Sequence, residues 1–326
     1  MMKIENFTDY MSRVIENLKK EERYGTAYIY SYALKALRIY KGKNDLPFSV
    51  FNKMEMKHFE QYLLNNKRSW NTISTYFRAL RAVYNRAVDE EIIKGELRLF
   101  HHVFTGVTSE KKLALEVCEM RELIAKNCSR KMLCETQLSP SLQRARDLLA
   151  LMLLLQGIGF SDLIHLRNVN LKKNGGKQYF LHFRRQKTGT ELNIQVPPEA
   201  MAIIERYRSK DSSSLYLLNL LDGQSGGEEA YGEYRRQLRI FNYNLSRLAT
   251  LCGVDSPVSS YTARHTWATL AKYCEVPEEI ISEGLGHSSL EVTRTYLKRF
   301  ENDKLSKANL IIKDYVFKGN QRLWNS

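Results

Sequence analysis

Hydrophobic positions recur with helical spacing over most of the first hundred residues. The N-terminal stretch "ENFTDYMSRVIENLKK" has the pattern of an amphipathic helix. In "YGTAYIYSYALKALRIYKG", Tyr30, Leu34 and Leu37 share one helical face, and Gly42 follows as a stop signal. The stretch "NKMEMKHFEQYLLNN" predicts a third helix of the same kind.

A further amphipathic helix is predicted over "SWNTISTYFRALRAVYNRAVDEEII". Leu80 begins the apolar side of its second half, whereas Arg78 lies on another side. Ser69, Asn71 and Thr72 offer capping oxygens at its start. Such helices can pack together and still present cations outward, so the pattern predicts a helical domain over 1–100.

The hydrophobic pattern changes beyond "HHVFTGVTSEKKLALE", which predicts a linker over 101–113 and a second domain over 114–326. A buried helix in "ARDLLALMLLLQGIGFSDL" breaks at Gly157 and Gly159. "KQYFLHFRRQKTGTELNIQVP" alternates and turns at Thr188-Gly189, which is typical of a β-hairpin. Helical patterns follow it, so the fold class is mainly α with a small antiparallel sheet.

Composition narrows the class of protein. The 326 residues are 43% hydrophobic, which is ordinary for a globular chain, and no apolar run approaches the roughly 20 residues of a membrane span. The five cysteines are odd in number and form no CxxC pair. This pattern favours reduced thiols in the cytoplasm over a disulfide framework or a zinc site.

Net charge gives the first functional indication. Fifty Lys and Arg residues against 36 Asp and Glu residues give +14. Such basicity favours a polyanionic partner, most often nucleic acid, although a merely soluble basic protein remains the alternative. The basic residues are scattered among periodic apolar segments, which places the charge on folded surfaces.

Three short stretches, "RRQKTGT", "YTARHTWATLA" and "GLGHSSLEVTRTYLKRF", could carry chemistry. Taken singly, each has an ordinary interpretation. Lys187 could be a solvated turn residue, and Tyr296 could be a packed ring on an amphipathic helix. His287 could cap the next helix, and Arg264 could be exposed.

The order of these stretches resembles the catalytic domain of the tyrosine recombinases, the integrase family, over about 113–300. "YTARHTWATLA" and "GIGFSDLIHL" look most like integrases of conjugative transposons and related DNA invertases. "NTISTYFRALRAVYNRAV" resembles the helical, SAM-like core-binding domain of that family. The resemblance implies two domains that clamp duplex DNA, with Asn71, Thr72 and Arg78 on the DNA-binding side.

The resemblance also assigns roles in the DNA breaking and rejoining reaction. It implies that Tyr296 is the nucleophile and forms a 3′-phosphotyrosyl bond with release of a 5′-hydroxyl. Arg264 would neutralise the phosphoryl transition state, His287 would donate to the phosphate, and Lys187 would protonate the leaving oxygen. The chain carries no carboxylate cluster or glycine-rich phosphate loop, so neither a metal nor a nucleotide cofactor is expected.

Two positions depart from the family pattern. The first arginine of the family usually follows a Gly-Leu dipeptide, and Gly159 stands at that place here. Arg185, two residues before Lys187 on a predicted strand, is a candidate substitute on the same face, although it could instead bind a flanking phosphate. Tyr261 replaces a frequent histidine and can still donate a hydrogen bond to DNA.

The resemblance implies a site-specific recombinase that integrates, excises or inverts a DNA element. A homotetramer on two recombining sites and accessory DNA-bending proteins are the implied partners, beside double-stranded DNA and with no membrane. The tail "LSKANLIIKDYVF" could pack in cis or on a neighbouring protomer. The alternatives are a DNA-binding relative with weakened or lost catalysis and, as a third, a type IB topoisomerase.

Overall fold

The computed structural model describes residues 6–108, 114–125, 138–209, 214–287, 289–297 and 310. They belong to two compact units, Met1–Glu110 with Gln224–Glu233, and Lys111–Gly223 with Tyr234–Ser326. The predicted linker over 101–113 stays a prediction, and its last five residues lie outside the described residues, as does the predicted tail apart from Leu310. None of the described helices is long and apolar enough to cross a membrane.

The first unit contains four consecutive helices, which confirms the helical pattern of the N-terminal sequence. Two predicted end signals are confirmed: the Ser69 side chain accepts from the backbone N–H of Thr72 at the start of the fourth helix, and Gly42 adopts the left-handed conformation after the second helix. Asn71 and Thr72, the other two predicted caps, lie inside the fourth helix. The helices are α1 (Phe7–Lys20), α2 (Tyr24–Lys41), α3 (Lys53–Asn65) and α4 (Trp70–Asp89).

Aromatic side chains hold the core of this unit together. Phe59 and Phe77 are fully buried and meet edge to face with centroids 5.6 Å apart. Leu80 is also fully buried, on the α4 face that the apolar spacing predicts. Truncating a leucine in such a core typically costs about 2–5 kcal/mol, so these helices depend on their mutual packing.

The second unit is mainly helical and carries one three-stranded antiparallel sheet, which confirms the predicted fold class. The helices α5–α8 are Val117–Ile124, Pro140–Leu154, Phe160–Ile164 and Pro198–Tyr207. Helices α9–α12 are Gly227–Cys252, of which the part from Tyr234 belongs here, Thr262–Tyr273, Glu278–Gly284 and Leu290–Tyr296.

The sheet is built around the predicted hairpin. Strand β2 (Tyr179–Arg184) pairs with β3 (Glu191–Val196), and Arg184 lies opposite Glu191 at the turn end. A short strand, β1 (Leu171–Lys173), which the sequence pattern did not indicate, pairs with the outer edge of β2. The hairpin therefore delivers its turn, residues 185–190, to one end of the sheet.

Candidate active site

One cavity of about 330 Å³ in the second unit brings together residues from five separate segments. They come from Gly159 with the start of α7, the hairpin turn, α9, the start of α10, and His287 with α12. All five predicted catalytic residues line it, beside Tyr261 and the departure at Gly159. These lining residues are Gly159, Arg185, Lys187, Tyr261, Arg264, His287 and Tyr296.

Arg264 lies in the first turn of α10 and is only 3% exposed. Its guanidinium donates to the carbonyl oxygen of Gly157 at 3.0 Å, to that of Leu285, and to Nε2 of His287 at 3.0 Å. Its Nε is buried and has no partner among the described residues. Burial lowers the pKa of Arg264, as does the nearby Arg185 charge, so this cation is poised for an anionic ligand.

Gly157 makes the close approach of its loop to α10 sterically possible. It adopts a positive φ of 67°, and a Cβ there would lie 3.0 Å from the Cα of Arg264. The break that the sequence predicts after the buried helix therefore has a structural purpose. It presents the Gly157 carbonyl directly to the Arg264 side chain.

His287 is held at both ring nitrogens. Nε2 faces Arg264, and Nδ1 lies 2.9 Å from Oγ1 of Thr293. Burial lowers the pKa of His287 to about 4, with further contributions from the charges of Arg264, Arg185 and Lys187. The imidazole is therefore neutral at pH 7. Its predicted role as a donor to phosphate stays a prediction, since Arg264 and Thr293 engage both nitrogens here.

The ring of Tyr296, in the last turn of α12, packs against two imidazoles. The centroid of His287 lies 4.9 Å away and that of His265 lies 4.5 Å away. Arg264 lies 5.6 Å from the same ring centroid. The sequence analysis assigned no role to His265. Its place directly after Arg264 in "ARHT" was the available signal that it lies close to the site.

Arg185 is 9% exposed and reaches the same site from the hairpin. Its Nη1 donates to the Gly286 carbonyl at 2.7 Å, and its Nε lies 3.4 Å from Oδ2 of the buried Asp162. Gly286 has a positive φ of 61°, and a Cβ there would lie 2.8 Å from Cδ of Arg185. The glycine thus leaves room for the arginine side chain.

The strand argument for placing Arg185 beside Lys187 was wrong, because β2 ends at Arg184. Both residues lie in the turn that follows, and the turn brings both to the cavity. Asp162, which sequence reasoning also missed, fixes this turn by accepting the backbone N–H of Gln186 at 2.8 Å. Only the folded structure reveals that contact, because the two residues are 24 positions apart.

Gly159 has an ordinary backbone conformation, with φ −68° and ψ 146°, which any residue can adopt. A Cβ added to it would lie 3.4 Å from Oδ2 of Asp162. The same carboxylate oxygen lies 3.4 Å from Nε of Arg185. A side chain at 159 and the side chain of Arg185 therefore approach one shared carboxylate.

Lys187 and Tyr261 line the open part of the cavity. Lys187 is exposed in the hairpin turn, which closes through the N–H of Gly189 bonding to the carbonyl of Arg185 at 2.9 Å. Tyr261 directly precedes α10 and is 52% exposed. Their exposure leaves both side chains accessible to a large ligand.

The three predicted DNA-binding residues of the first unit lie on α4, Asn71 and Thr72 in its first turn and Arg78 near its middle. Arg78 is exposed, whereas the Thr72 hydroxyl is 2.9 Å from that of Ser69. The amide of Asn71 is engaged with the backbone of Thr108: it donates to the carbonyl and accepts from the N–H, each at 2.9 Å. Asn71 thus anchors the segment that follows the helical domain, and its predicted role in DNA binding stays a prediction.

Family models match most of the chain. Residues 6–102 match the phage integrase SAM-like domain, and residues 122–303 match the phage integrase family. The tyrosine recombinase XerS of Streptococcus sanguinis strain SK36 is 23% identical over 302 residues, covering 77% of this chain and 78% of that protein. A tyrosine recombinase of Pseudothermotoga lettingae is 24% identical over 179 residues, 53% of this chain and 57% of that protein.

Solved structures of integrases are similar to this chain in fold. The Tn1549 transposon integrase in complex with a circular intermediate DNA has a TM-score of 0.58 at 16% identity, covering 94% of this chain and 98% of that chain. The lambda integrase dimer bound to a COC′ core site has a TM-score of 0.60 at 13% identity, covering 90% and 98%. At these identities the likeness establishes the fold.

Proposed function

The chain belongs to the phage integrase family, and from that premise we propose that it is a site-specific tyrosine recombinase that cuts and rejoins duplex DNA. The observation that carries the proposal is the single cavity lined by Tyr296, Arg264, His287, Lys187 and Arg185. It combines a nucleophile, fixed cations and an exposed proton donor. A purely DNA-binding relative would not require a hydroxyl nucleophile beside buried cations.

The geometry supports a defined division of labour in DNA cleavage. The Tyr296 hydroxyl attacks the phosphorus, a bond forms from Oη to phosphorus, and the bond to the 5′-oxygen breaks. The phenol proton passes to water in the cavity, and Lys187 protonates the departing oxygen. Rejoining reverses these steps with a 5′-hydroxyl as the nucleophile. The phosphotyrosyl bond keeps the energy of the phosphodiester, so no nucleotide cofactor is needed.

Charge on the nonbridging oxygens is neutralised by cations that are already in place. Arg264 is buried and held by two carbonyl oxygens and one imidazole. Such preorganised donors need no rearrangement when charge develops, which is where they contribute most to the rate.

Arg185 is proposed to supply the cation that Gly159 cannot. Its guanidinium approaches the carboxylate of Asp162, which a Cβ added at 159 would also approach. The Arg185 side chain is also buried, as expected for a group that is fixed before the substrate binds. A flanking-phosphate residue would be expected on the exposed face of the hairpin, where Arg184 pairs with Glu191. The location of Arg185 therefore favours a place in the active site.

The substrate is proposed to be double-stranded DNA, because the resembling integrases were solved on DNA and because the chain carries a net charge of +14. Arg78, Asn71, Thr72 and Tyr261 are proposed to face it. We further propose that the enzyme integrates, excises or inverts a mobile DNA element in the cytoplasm. It would act as a homotetramer on two sites, with accessory DNA-bending proteins.

A trapping experiment tests the function. A bound site is first selected from random-sequence duplexes, and nicked suicide substrates are then tiled across it. The enzyme should form a covalent complex that withstands denaturant, and it should exchange strands between two duplexes. Binding without any covalent complex would leave the catalytically weakened relative as the better description, and relaxation without strand exchange would indicate a topoisomerase.

A further inference from the structure

A chain of three polar contacts links the site to a buried hydroxyl that has no role in the mechanism above. Nη2 of Arg264 lies 3.0 Å from Nε2 of His287, and Nδ1 of His287 lies 2.9 Å from Oγ1 of Thr293. Thr293 is fully buried, so its hydroxyl has no access to water. It lies on α12, one helical turn before Tyr296.

The chemistry of these groups sets the direction of each hydrogen bond. A guanidinium can only donate, so Nε2 of His287 must present its lone pair to Arg264. A neutral imidazole then carries its proton on Nδ1 and donates it to Oγ1 of Thr293. In the other tautomer, an N–H on Nε2 would point at the N–H of Arg264, and Nδ1 would lose its proton.

We propose that Thr293 is a positioning residue for the recombination reaction: its hydroxyl holds His287 in the Nδ1–H tautomer, with the Nε2 lone pair directed at Arg264. This inference rests on the proposed function of the cavity. Because Thr293 and Tyr296 share one short helix, the segment that carries the nucleophile also orients the imidazole beside it. Correct seating of α12 would then be required for correct orientation of Arg264.

Replacing Thr293 with valine keeps the shape of the side chain and removes the acceptor. A buried N–H left without an acceptor is unfavourable, and water cannot take its place at this depth. We therefore expect Thr293→Val to alter the tautomer of His287, whereas Thr293→Ser should retain the wild-type tautomer. Thr8→Val is the matched control, because Thr8 is an equally buried threonine in the first unit whose hydroxyl accepts from the N–H of Leu46.

Two measurements on the full chain test the proposal. Long-range proton–nitrogen NMR of protein labelled with ¹⁵N-histidine reports which ring nitrogen is protonated, and the His287 signal is identified by its loss in His287→Gln. The first-order cleavage rate is measured on saturating suicide substrate. We expect Thr293→Val to shift the tautomer and to slow cleavage by roughly 10- to 100-fold, by analogy with the loss when partners that orient metal-ligating histidines are removed.

Each other outcome overturns the proposal. An Nε2–H tautomer in the wild type would do so without any variant, even if Thr293→Val failed to fold. An unchanged His287 tautomer in Thr293→Val would overturn it whatever the cleavage rate. A changed tautomer with an unchanged cleavage rate would overturn it too, and so would a Thr8→Val variant with the same effects as Thr293→Val. The NMR measurement needs no DNA. If the wild type formed no covalent complex, the proposed function would be contradicted, and the tautomer of His287 could still be measured.

Discussion

The rings of His287 and Tyr296 stack with their centroids 4.9 Å apart and their planes inclined at 30°. This contact fixes the ring of the proposed nucleophile without using its hydroxyl. Because ring stacking positions Tyr296 and the hydroxyl provides its reactivity, a variant can remove the hydroxyl and retain the position of the ring.

Tyr296→Phe should abolish covalent attachment to DNA and leave DNA affinity nearly unchanged. Only the hydroxyl is lost, and the contacts of the ring with His287 and His265 remain. Mass spectrometry of trapped wild-type complexes should locate the adduct on Tyr296. A phosphotyrosyl adduct at any other tyrosine would show that the nucleophile is assigned incorrectly.

Lys187→Ala should slow cleavage of ordinary DNA by roughly 10²–10⁴-fold, the contribution typical of a general acid. DNA with a bridging 5′-phosphorothiolate should be cleaved by the variant at close to the wild-type rate, because a thiolate leaves without protonation. The two substrates are compared in single-turnover assays. An equal loss on both would indicate that Lys187 contributes to binding rather than to proton transfer.

Arg185→Ala should reduce the cleavage rate on saturating DNA by about 10²–10³-fold, as expected for a donor to the transition state. Arg184→Ala is the matched control, since Arg184 is the adjacent arginine, is exposed, and pairs with Glu191. It should alter binding and its salt dependence more than the rate. A near-normal rate for Arg185→Ala would exclude this residue from the active site.

Gly159→Arg in the Arg185→Ala background is the complementary test. The backbone at 159 accepts any residue, and its Cβ would point toward Asp162, so an arginine can be placed there without backbone strain. We expect partial recovery of the cleavage rate, measured on the same suicide substrate. No recovery by a variant that is folded and binds DNA would argue that the two positions do not serve one phosphate.

The lowered pKa of His287 predicts a stability difference that depends on pH. The unfolded chain binds a proton on this histidine below about pH 6.5, whereas the folded chain does so only near pH 4. Stability therefore falls as pH decreases through this window. Between about pH 7.5 and about pH 5, the melting temperature of the wild type should fall further than that of His287→Gln, which has no titratable group at this position. Equal losses, measured by calorimetry, would contradict the depressed pKa.

Local pattern was sufficient to predict the elements and part of the site. Spacing and caps predicted α4 with its buried Leu80, and glycines predicted the break before α7. The resemblance brought Arg264, His287 and Tyr296 into one group, and the cavity contains all three. These features depend on neighbouring residues, or on motifs whose residue types already suggest the reaction.

The remaining features depend on contacts between distant segments. Arg185 and Gly286 are 101 positions apart, and no periodicity in either segment indicates that they meet. The same holds for Asn71, which the sequence presents as a capping or DNA-binding residue and which in the structure pairs with the backbone of Thr108. Side chains with several hydrogen-bonding options are assigned only when the fold brings a partner to them.

The carbonyl oxygens of Leu285 and Gly286, on consecutive residues, accept from Arg264 and Arg185 respectively. One peptide turn therefore holds both cations, beside the further contacts of Arg264 with the Gly157 carbonyl and of Arg185 with Asp162. On the proposed assignment, a recombinase can move an arginine from one segment to another and keep its active site, provided that the guanidinium still reaches this turn. Searches for such enzymes would then do better to require the acceptor turn before the histidine than an arginine at a fixed place in the chain.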